Sequence, residues 1–223
     1  MAINIAIDGP AGAGKSSAAK ALAKKMSFIY MDTGALYRSI GLYCLREGVK
    51  ELKNEAVVAP HLNNINIEIK FIDGAQHVFL NGEDVSSLIR TQEVSMAASD
   101  VSSVPKVREF LLDLQRDIAA KTNLIMDGRD IGSVILPNAD VKIFLTASPE
   151  ARAKRRTLEL EAKGESVNYE EVLKQIIERD KNDSTRAIAP LKVADGAVIL
   201  DNSDINEQET VAEMERIIKE SLQ

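Results

Sequence analysis

The sequence has no tryptophan, and phenylalanine and tyrosine together make up only 4% of it. Proteins that bind single-stranded nucleic acids usually stack the bases on aromatic side chains, and few are available here. The net charge of −6 also has the wrong sign for a partner with a polyanionic backbone. We therefore expect no nucleic-acid polymer among its partners.

Cysteine and long apolar runs are equally scarce. Cys44 is the only cysteine, which excludes an internal disulfide and fits a reducing cytoplasm. No run approaches the roughly 20 apolar residues of a membrane span, and the chain opens on a strand rather than a basic and then apolar signal segment. We expect a cytoplasmic protein that does not contact a membrane, and a monomer, because nothing in the sequence demands a second copy.

The composition that is present suits an α/β protein. The chain has 223 residues and is 45% hydrophobic, enough for one domain with an elaboration or for two small ones. Short apolar, β-branched runs alternate with helical patterns, which predicts a parallel sheet of about five strands covered by helices on both faces. The runs read as strands are residues 3–8, 28–32, 123–127, 141–146 and 197–201.

The hydrophobic period changes in one central stretch. Ile65, Ile67, Ile69 and Phe71 alternate with polar residues, a pattern typical of a half-buried antiparallel strand. Turn signals at Asp73-Gly74 and Asn81-Gly82 predict a small hairpin or meander. We therefore divide the chain into a core, residues 1–59 and 88–223, and an inserted β-rich subdomain, residues 60–87.

The strongest motif is Gly9-Pro-Ala-Gly-Ala-Gly-Lys-Ser16, which follows a predicted strand and precedes an alanine-rich helix. This order is typical of a phosphate loop, in which glycines let backbone N–H groups surround an anion at a helix start. Lys15 can reach the outer phosphates, and the Ser16 hydroxyl can bind Mg²⁺. The motif predicts a site for a nucleoside triphosphate. Its expected residues are Gly9, Pro10, Ala11, Gly12, Ala13, Gly14, Lys15, Ser16 and Ser17.

Phosphate-loop proteins include switches, motors and small-molecule kinases. The sequence has neither the Asp-x-x-Gly nor the Asn-Lys-x-Asp motif of a GTPase switch, and a motor is usually longer. Instead it carries arginines through its second half, whose planar guanidinium groups suit the charge that develops during phosphoryl transfer. These arginines are Arg108, Arg129, Arg152, Arg155, Arg156, Arg179 and Arg186.

Four further segments carry a family resemblance. Asp32-Thr-Gly-Ala-Leu-Tyr-Arg38, Ile89-Arg-Thr-Gln-Glu-Val94, Asp127-Gly-Arg-Asp-Ile-Gly132 and Thr185-Arg-Ala-Ile-Ala-Pro190 follow the phosphate loop. In order and spacing the chain resembles the bacterial cytidylate kinases over residues 3–201. The resemblance implies transfer of the γ-phosphoryl group of ATP to CMP or dCMP, with Mg²⁺.

The resemblance also implies roles for individual residues. Lys15, Arg129, Arg155 and Arg156 would be catalytic, the last two on a short lid at about residues 152–186 that begins with the segment 152–164. Residues 60–87 would be the acceptor-side insert. Thr33 stands where many relatives have serine, so it keeps the hydroxyl of an acceptor contact and adds a methyl group. Arg38 and Arg129 would grip the acceptor phosphate, Ser99, Arg108 and Asp130 would read cytosine, and Arg179, Asp183 and Arg186 would hold the ribose.

The chemistry of cytosine is compatible with these roles. Its exocyclic amine can donate to Asp130, and its O2 and N3 can accept from Arg108 and Ser99. Uracil has a carbonyl where cytosine has the amine, so a buried Asp130 would disfavour it.

Several residues have a structural alternative. Arg179, Asp183 and Arg186 recur at i, i+4 and i+7, so they can share one helix face as a surface ion-pair ladder. Asp127 can orient a magnesium-bound water or cap the turn after its strand. Arg152, Arg155 and Arg156 can form a solvated face that pairs with Glu159.

Two functional alternatives also stay open. The first is a kinase for another small acceptor, such as UMP, AMP or shikimate. The second is a non-catalytic module that binds a nucleotide.

Overall fold

The structure is a computed structural model that describes residues 2–72, 74–162, 164 and 166–223. Strands and helices alternate through most of it, as the sequence pattern predicts. The strands are β1 (Asn4–Asp8), β2 (Ile29–Asp32), β3 (Ile67–Ile72), β4 (Ala75–Leu80), β5 (Glu83–Asp84), β6 (Leu124–Gly128), β7 (Val141–Thr146) and β8 (Val198–Asp201). The helices are α1 (Lys15–Met26), α2 (Thr33–Arg46), α3 (Glu55–Val58), α4 (Gln92–Val101), α5 (Pro105–Lys121), α6 (Pro149–Ala162), α7 (Tyr169–Thr185) and α8 (Glu207–Ser221).

A parallel sheet of five strands confirms the predicted fold class. Its order is β2-β6-β1-β7-β8, so β1 is central. Ile5 of β1 is opposite Ile125 of β6 on one side and Val141 of β7 on the other. Because ligands of such sheets bind at the carboxyl ends of the strands, the loop that follows β1 lies where a ligand site is expected.

The edge strand β8 departs from the expected burial. Val198 and Ile199 are 41% and 59% exposed, whereas Ile5 and Ile7 of β1 have no exposed surface. An edge strand has a neighbour on only one side, and β8 pairs with β7 there. β8 is therefore covered less completely than the central strand β1.

The chain forms two compact units. The first comprises residues 29–122 with Ala2, and the second comprises residues 3–28 and 123–223. In the second unit the helices flank β1, β6 and β7. α8 begins with a capping box in which Asn206 and Glu209 exchange side-chain and backbone hydrogen bonds. Its buried side chains Met214, Ile217 and Ile218 form one apolar face.

In the first unit, α2 and α4 pack closely at Gly41. A Cβ atom there would lie 3.0 Å from the backbone nitrogen of Ala98, so a larger residue would push the helices apart. Cys44 of α2 has no exposed surface and packs in the core. Burial raises the pKa of its thiol to about 11.

The predicted β-insert is present in the first unit as the antiparallel sheet β3-β4-β5. Residue 73 of the first turn is outside the described residues, while Asn81 and Gly82 of the second turn have positive φ angles of 51° and 86°. The two histidines have structural contacts: His61 packs edge-on against Tyr43, and Nδ1 of His77 lies 2.7 Å from an Asp84 carboxylate oxygen. In the described parts of the chain, no helix combines the length and apolarity needed to cross a bilayer.

Candidate active site

The phosphate loop connects the carboxyl end of β1 to the first residue of α1. Gly9 has a φ of +149°, and a Cβ atom there would lie 1.9 Å from the carbonyl oxygen of Leu145. No other residue fits that space. Gly12 and Gly14 also have positive φ angles, 76° and 86°, which glycine adopts without strain. The three glycines allow the backbone to turn back over the end of the sheet and to enter α1 directly.

Lys15 is buried at the first position of α1, with 5% of its surface exposed. Its ammonium group donates to the carbonyl oxygen of Pro10 over 2.8 Å. Burial, followed by the charge of Arg129, lowers the pKa of Lys15 to about 7, although Asp127, Asp8 and Asp183 act in the opposite direction. A buried ammonium of this kind strongly favours a negatively charged ligand, which would restore the lost solvation.

Ser16 and Asp127 meet beside the loop. The Ser16 hydroxyl donates to Oδ2 of Asp127 over 2.7 Å, and Asp127 is 4% exposed at the end of β6. A hydroxyl and a carboxylate are oxygen ligands of the kind that Mg²⁺ prefers. Across the described ranges no three His, Cys, Asp or Glu side chains form a metal cage. As oxygen ligands, the two side chains fit a hard divalent cation.

Asp8, which the sequence analysis did not select, is a buried carboxylate at the end of β1. Its two oxygens accept from the backbone N–H groups of Ile131 and Gly132 over 2.7 and 2.8 Å. Those residues begin a π-helical turn, Ile131–Ile135, directly after Asp130. The strand that leads into the phosphate loop thus also fixes the segment that carries Arg129 and Asp130.

The setting of Asp8 predicts a pH-dependent stability. Burial raises the pKa of Asp8 to about 6, and the negative charge of Asp130 adds to the increase. The two N–H bonds and the positive charge of Lys15 oppose it only in part. A native pKa above the unfolded value means that the contribution of Asp8 to stability is greatest below about pH 4 and is lost as the pH rises through about 6. We expect Asp8→Asn to remove this loss. Relative to the wild type, the variant should gain about 2 kcal/mol of unfolding free energy between pH 4 and 7.

Denaturant unfolding at several pH values measures this difference. Asp204→Asn is the matched control, because Asp204 is exposed and its replacement also removes one negative charge. A constant free-energy difference between Asp8→Asn and the wild type across this range would contradict the prediction.

Arg129 and Asp130 each contact a residue of opposite charge near the end of α7. Arg129 Nε donates to Asp183 over 2.9 Å, and Arg186 Nη2 lies 3.4 Å from Asp130. Burial alone would raise the pKa of Asp183, but Arg129, with Arg179 and Arg186, lowers it below its ordinary value. The predicted acceptor residues of the second unit therefore form one charged cluster.

One expectation about this cluster is wrong. Arg179 and Asp183 are on α7, but the helix ends at Thr185, and Arg186 has an extended ψ of 142°. Arg186 donates from Nε to the carbonyl oxygen of Ala189 over 2.6 Å. The three residues do not share one helix face, because the chain turns away toward Pro190 before Arg186 can join the helix.

The three arginines of α6 have different surroundings. Arg152 is only 2% exposed, which the solvated-face alternative does not allow. Arg155 donates to the backbone and side-chain oxygens of Asn202, and Asn202 in turn donates to the carbonyl oxygen of Ala13 over 3.0 Å. Arg156 is exposed and pairs with Glu159 over 2.9 Å, as the solvated-face alternative described. Residues 163 and 165 of the predicted lid are outside the described residues.

The remaining predicted residues lie in the first unit. Arg38 Nη2 is 2.5 Å from Oδ2 of Asp32, the residue that caps α2, and Thr33 is buried at the first position of that helix. Arg108 is 9% exposed, lies 5.4 Å from the centre of the Tyr37 ring and donates to the carbonyl oxygen of Ser102. The Ser102 hydroxyl donates to the carbonyl oxygen of Ser99. Arg108 and Ser99 are therefore held through a shared neighbour.

A pocket of about 460 Å³ opens beside the phosphate loop in the second unit. Its walls include Pro10 of the loop, the end of β7 and the last turns of α7. Its charged lining residues are Arg152, Asp180, Lys181 and Asp201.

Comparison with known proteins agrees with this geometry. The family model for cytidylate kinase matches residues 5–220. A cytidylate kinase from Caldicellulosiruptor saccharolyticus is 52% identical over 94% of this chain and 92% of its own length. One from Carboxydothermus hydrogenoformans is 49% identical over 97% of each chain.

A comparison of folds extends this result. The crystal structure of a shikimate kinase from Bacteroides thetaiotaomicron superimposes with a TM-score of 0.50, at 13% identity over 97% of this chain and 98% of the other. At that identity the likeness concerns the fold alone. The two cytidylate kinases share far more sequence identity with this chain than the shikimate kinase does, and their matches cover almost the whole chain. The chain belongs to the cytidylate kinase family.

Proposed function

We propose that the chain transfers the γ-phosphoryl group of ATP to CMP or dCMP, giving ADP and CDP or dCDP. The observation that carries the proposal is the setting of Lys15. Its buried ammonium lies within electrostatic reach of Asp127 and Asp8 at the phosphate loop, and of Arg129 and Asp183 among the predicted acceptor residues. A charge placed among both groups can stabilise a phosphoryl group during its transfer.

ATP is held by the phosphate loop. The backbone N–H groups of the loop, residues 9–17 with the exception of Pro10, would surround its β- and γ-phosphates, and the start of α1 adds the positive end of its dipole. Ser16, through its hydroxyl, and Asp127, through a bound water, would hold Mg²⁺ together with the phosphate oxygens. When bound, the ion neutralises charge on the outer phosphates. Arg155 and Arg156 of α6 supply further positive charge from the lid, residues 152–186.

The CMP contacts are those that the family resemblance implies. Arg38 and Arg129 bind its phosphate, with Thr33 as a hydroxyl contact. Arg179, Asp183 and Arg186 hold the ribose. Ser99, Arg108 and Asp130 read the base, with Asp130 accepting from the exocyclic amine. The β-insert, residues 60–87, belongs to this acceptor side, while residues 1–59 and 88–223 form the kinase core.

The reaction is a direct in-line transfer. The acceptor phosphate is already a nucleophile, so no side chain has to remove a proton and no covalent enzyme intermediate forms. Catalysis depends on the relative position of the two phosphates and on the preorganised charges around them. The positive residues for this task are Lys15, Arg129, Arg155 and Arg156.

The proposed setting in the cell follows from composition. One buried cysteine fits the reducing cytoplasm, where both nucleotides are found. A negative net charge of −6 disfavours binding to nucleic-acid polymers. We propose a cytoplasmic monomer.

One assay tests the proposal. ADP release is measured with ATP and Mg²⁺ against CMP, dCMP, UMP, AMP and shikimate, each at matched concentration. CMP- or dCMP-dependent release supports the proposal. Release with only another acceptor would assign a different kinase, and nucleotide binding without release on any acceptor would indicate a non-catalytic module.

A further inference from the structure

Arg152 is a buried cation that the proposed reaction does not use. It lies in the first turn of α6, and only 3% of its side chain is exposed. Long charged side chains are almost never buried this fully unless they are paired. Its partners therefore indicate what it does.

Those partners come from three separate segments. Arg152 Nε donates to the carbonyl oxygen of Ala147 over 2.9 Å, and Nη1 donates to the carbonyl oxygen of Ala11 over 3.0 Å. The same guanidinium makes a two-pronged pair with Asp180 of α7, at 2.9 and 2.5 Å. One side chain thus joins the end of β7, the phosphate loop and α7.

The bond to Ala11 has a direct consequence for the phosphate loop. In a planar trans peptide, the C=O of Ala11 and the N–H of Gly12 point in opposite directions. A charged donor that holds this carbonyl on one side therefore directs the Gly12 N–H to the other. The stem of Arg152 also packs there, since a Cβ atom on Gly12 would lie 3.5 Å from the Arg152 Cβ.

The geometry points to Arg152 as a positioning residue for the phosphate loop, with Asp180 as the residue that orients it. This inference rests on the proposed function, because it assumes that the loop binds the phosphates of ATP. Arg152 itself does not have to touch the nucleotide. It fixes one peptide of the loop so that a backbone donor faces the anion before the anion arrives, which reduces the cost of ordering the loop on binding.

The pair also links the two substrates. Asp180 lies next to Arg179 on α7, and Asp183 follows within one helical turn. The helix that carries the proposed ribose contacts is therefore tied through Arg152 to the loop that holds ATP. A displaced pair would disturb the loop first, because Arg152 contacts it directly.

Two variants test this inference. Arg152→Lys keeps the charge but loses the planar guanidinium group, whose several N–H donors bind Ala11, Ala147 and Asp180 at the same time. Asp180→Asn keeps the shape and leaves Arg152 with its carbonyl partners but without its carboxylate. We expect the KM for ATP to rise roughly 10- to 100-fold in Arg152→Lys, with a smaller rise in the KM for CMP. Asp180→Asn should also raise the KM for ATP more than the KM for CMP, but both increases should be smaller than in Arg152→Lys.

Binding of ADP with Mg²⁺, measured by calorimetry without turnover, provides the second readout. Its dissociation constant should rise in the same proportion as the KM for ATP. The control is Arg216→Ala, which removes an exposed ion-pair arginine of α8 and should change neither constant.

The outcomes are distinguishable. A wild type without CMP-dependent ADP release would overturn the proposed function, and ADP binding would still report on the loop. Folded variants that bind ADP within about twofold of the wild type would overturn the inference. A lower unfolding temperature with unchanged ADP binding would have the same effect, because it would assign the pair to stability alone. If Arg152→Lys does not fold, Asp180→Asn decides on these criteria.

Discussion

Replacing Lys15 by alanine is expected to lower kcat at least about 1,000-fold while the chain remains folded. The ammonium is buried in the second unit beside Asp8, Asp127 and Arg129, and no water can replace a fixed charge at the transferring group. The variant loses the bond to the Pro10 carbonyl, but it also loses the cost of burying a charge. We therefore expect little change in stability.

Steady-state ADP release with CMP and ATP measures this effect, and thermal unfolding checks the fold. Lys24→Ala is the matched control, since Lys24 is on the same helix and is exposed. A Lys15→Ala variant with full activity would remove the phosphate loop from the mechanism. Lost activity together with lost folding would contradict the expectation that the chain remains folded.

Replacing Asp130 by alanine should narrow the preference for CMP over UMP by roughly 10- to 100-fold in kcat/KM. Asp130 is 4% exposed, so an unmatched carbonyl of uracil would face a buried carboxylate with no proton to share. Asp130→Asn should narrow the preference further, because its amide can donate to that carbonyl. The measurement is kcat/KM for both nucleotides at one ATP concentration.

Asp183→Asn is the control for this experiment. Asp183 is proposed to hold the ribose, which CMP and UMP share, so this variant should lower both values of kcat/KM and leave their ratio unchanged. An unchanged ratio in Asp130→Ala would mean that the base is read elsewhere.

Much of the fold could be predicted from local patterns. The β-branched runs before Gly9 and after Ala139 have the length and composition of buried strands, and β1 and β7 are found there. Helix caps are local signals of the same kind: Thr91 and Asn168 each accept a backbone N–H at the beginning of α4 and α7. These signals are local in sequence, so they can be read without knowing the tertiary structure.

The contacts that complete the site could not be predicted in this way. Asp8 accepts hydrogen bonds from Ile131 and Gly132, which follow it by 123 and 124 positions in the sequence. Arg152 donates to Ala11, which precedes it by 141 positions. Neither contact produces a periodicity. On α6 the charged run that includes Arg152, Arg155 and Arg156 is compatible with a solvated face, and only tertiary packing shows that Arg152 is buried. For Asp8, its position between a buried strand and the phosphate loop was an available signal.

The state of Cys44 has a practical consequence for studying lid motion. Its thiol has no exposed surface and a pKa raised to about 11, so almost none of it is thiolate at neutral pH. Thiol-reactive maleimide dyes should therefore not label the native protein. If a cysteine is introduced on α6, only that cysteine should be labelled, so all of the fluorescence would come from α6. Modification of Cys44 itself would then report the opening of α2 from its core.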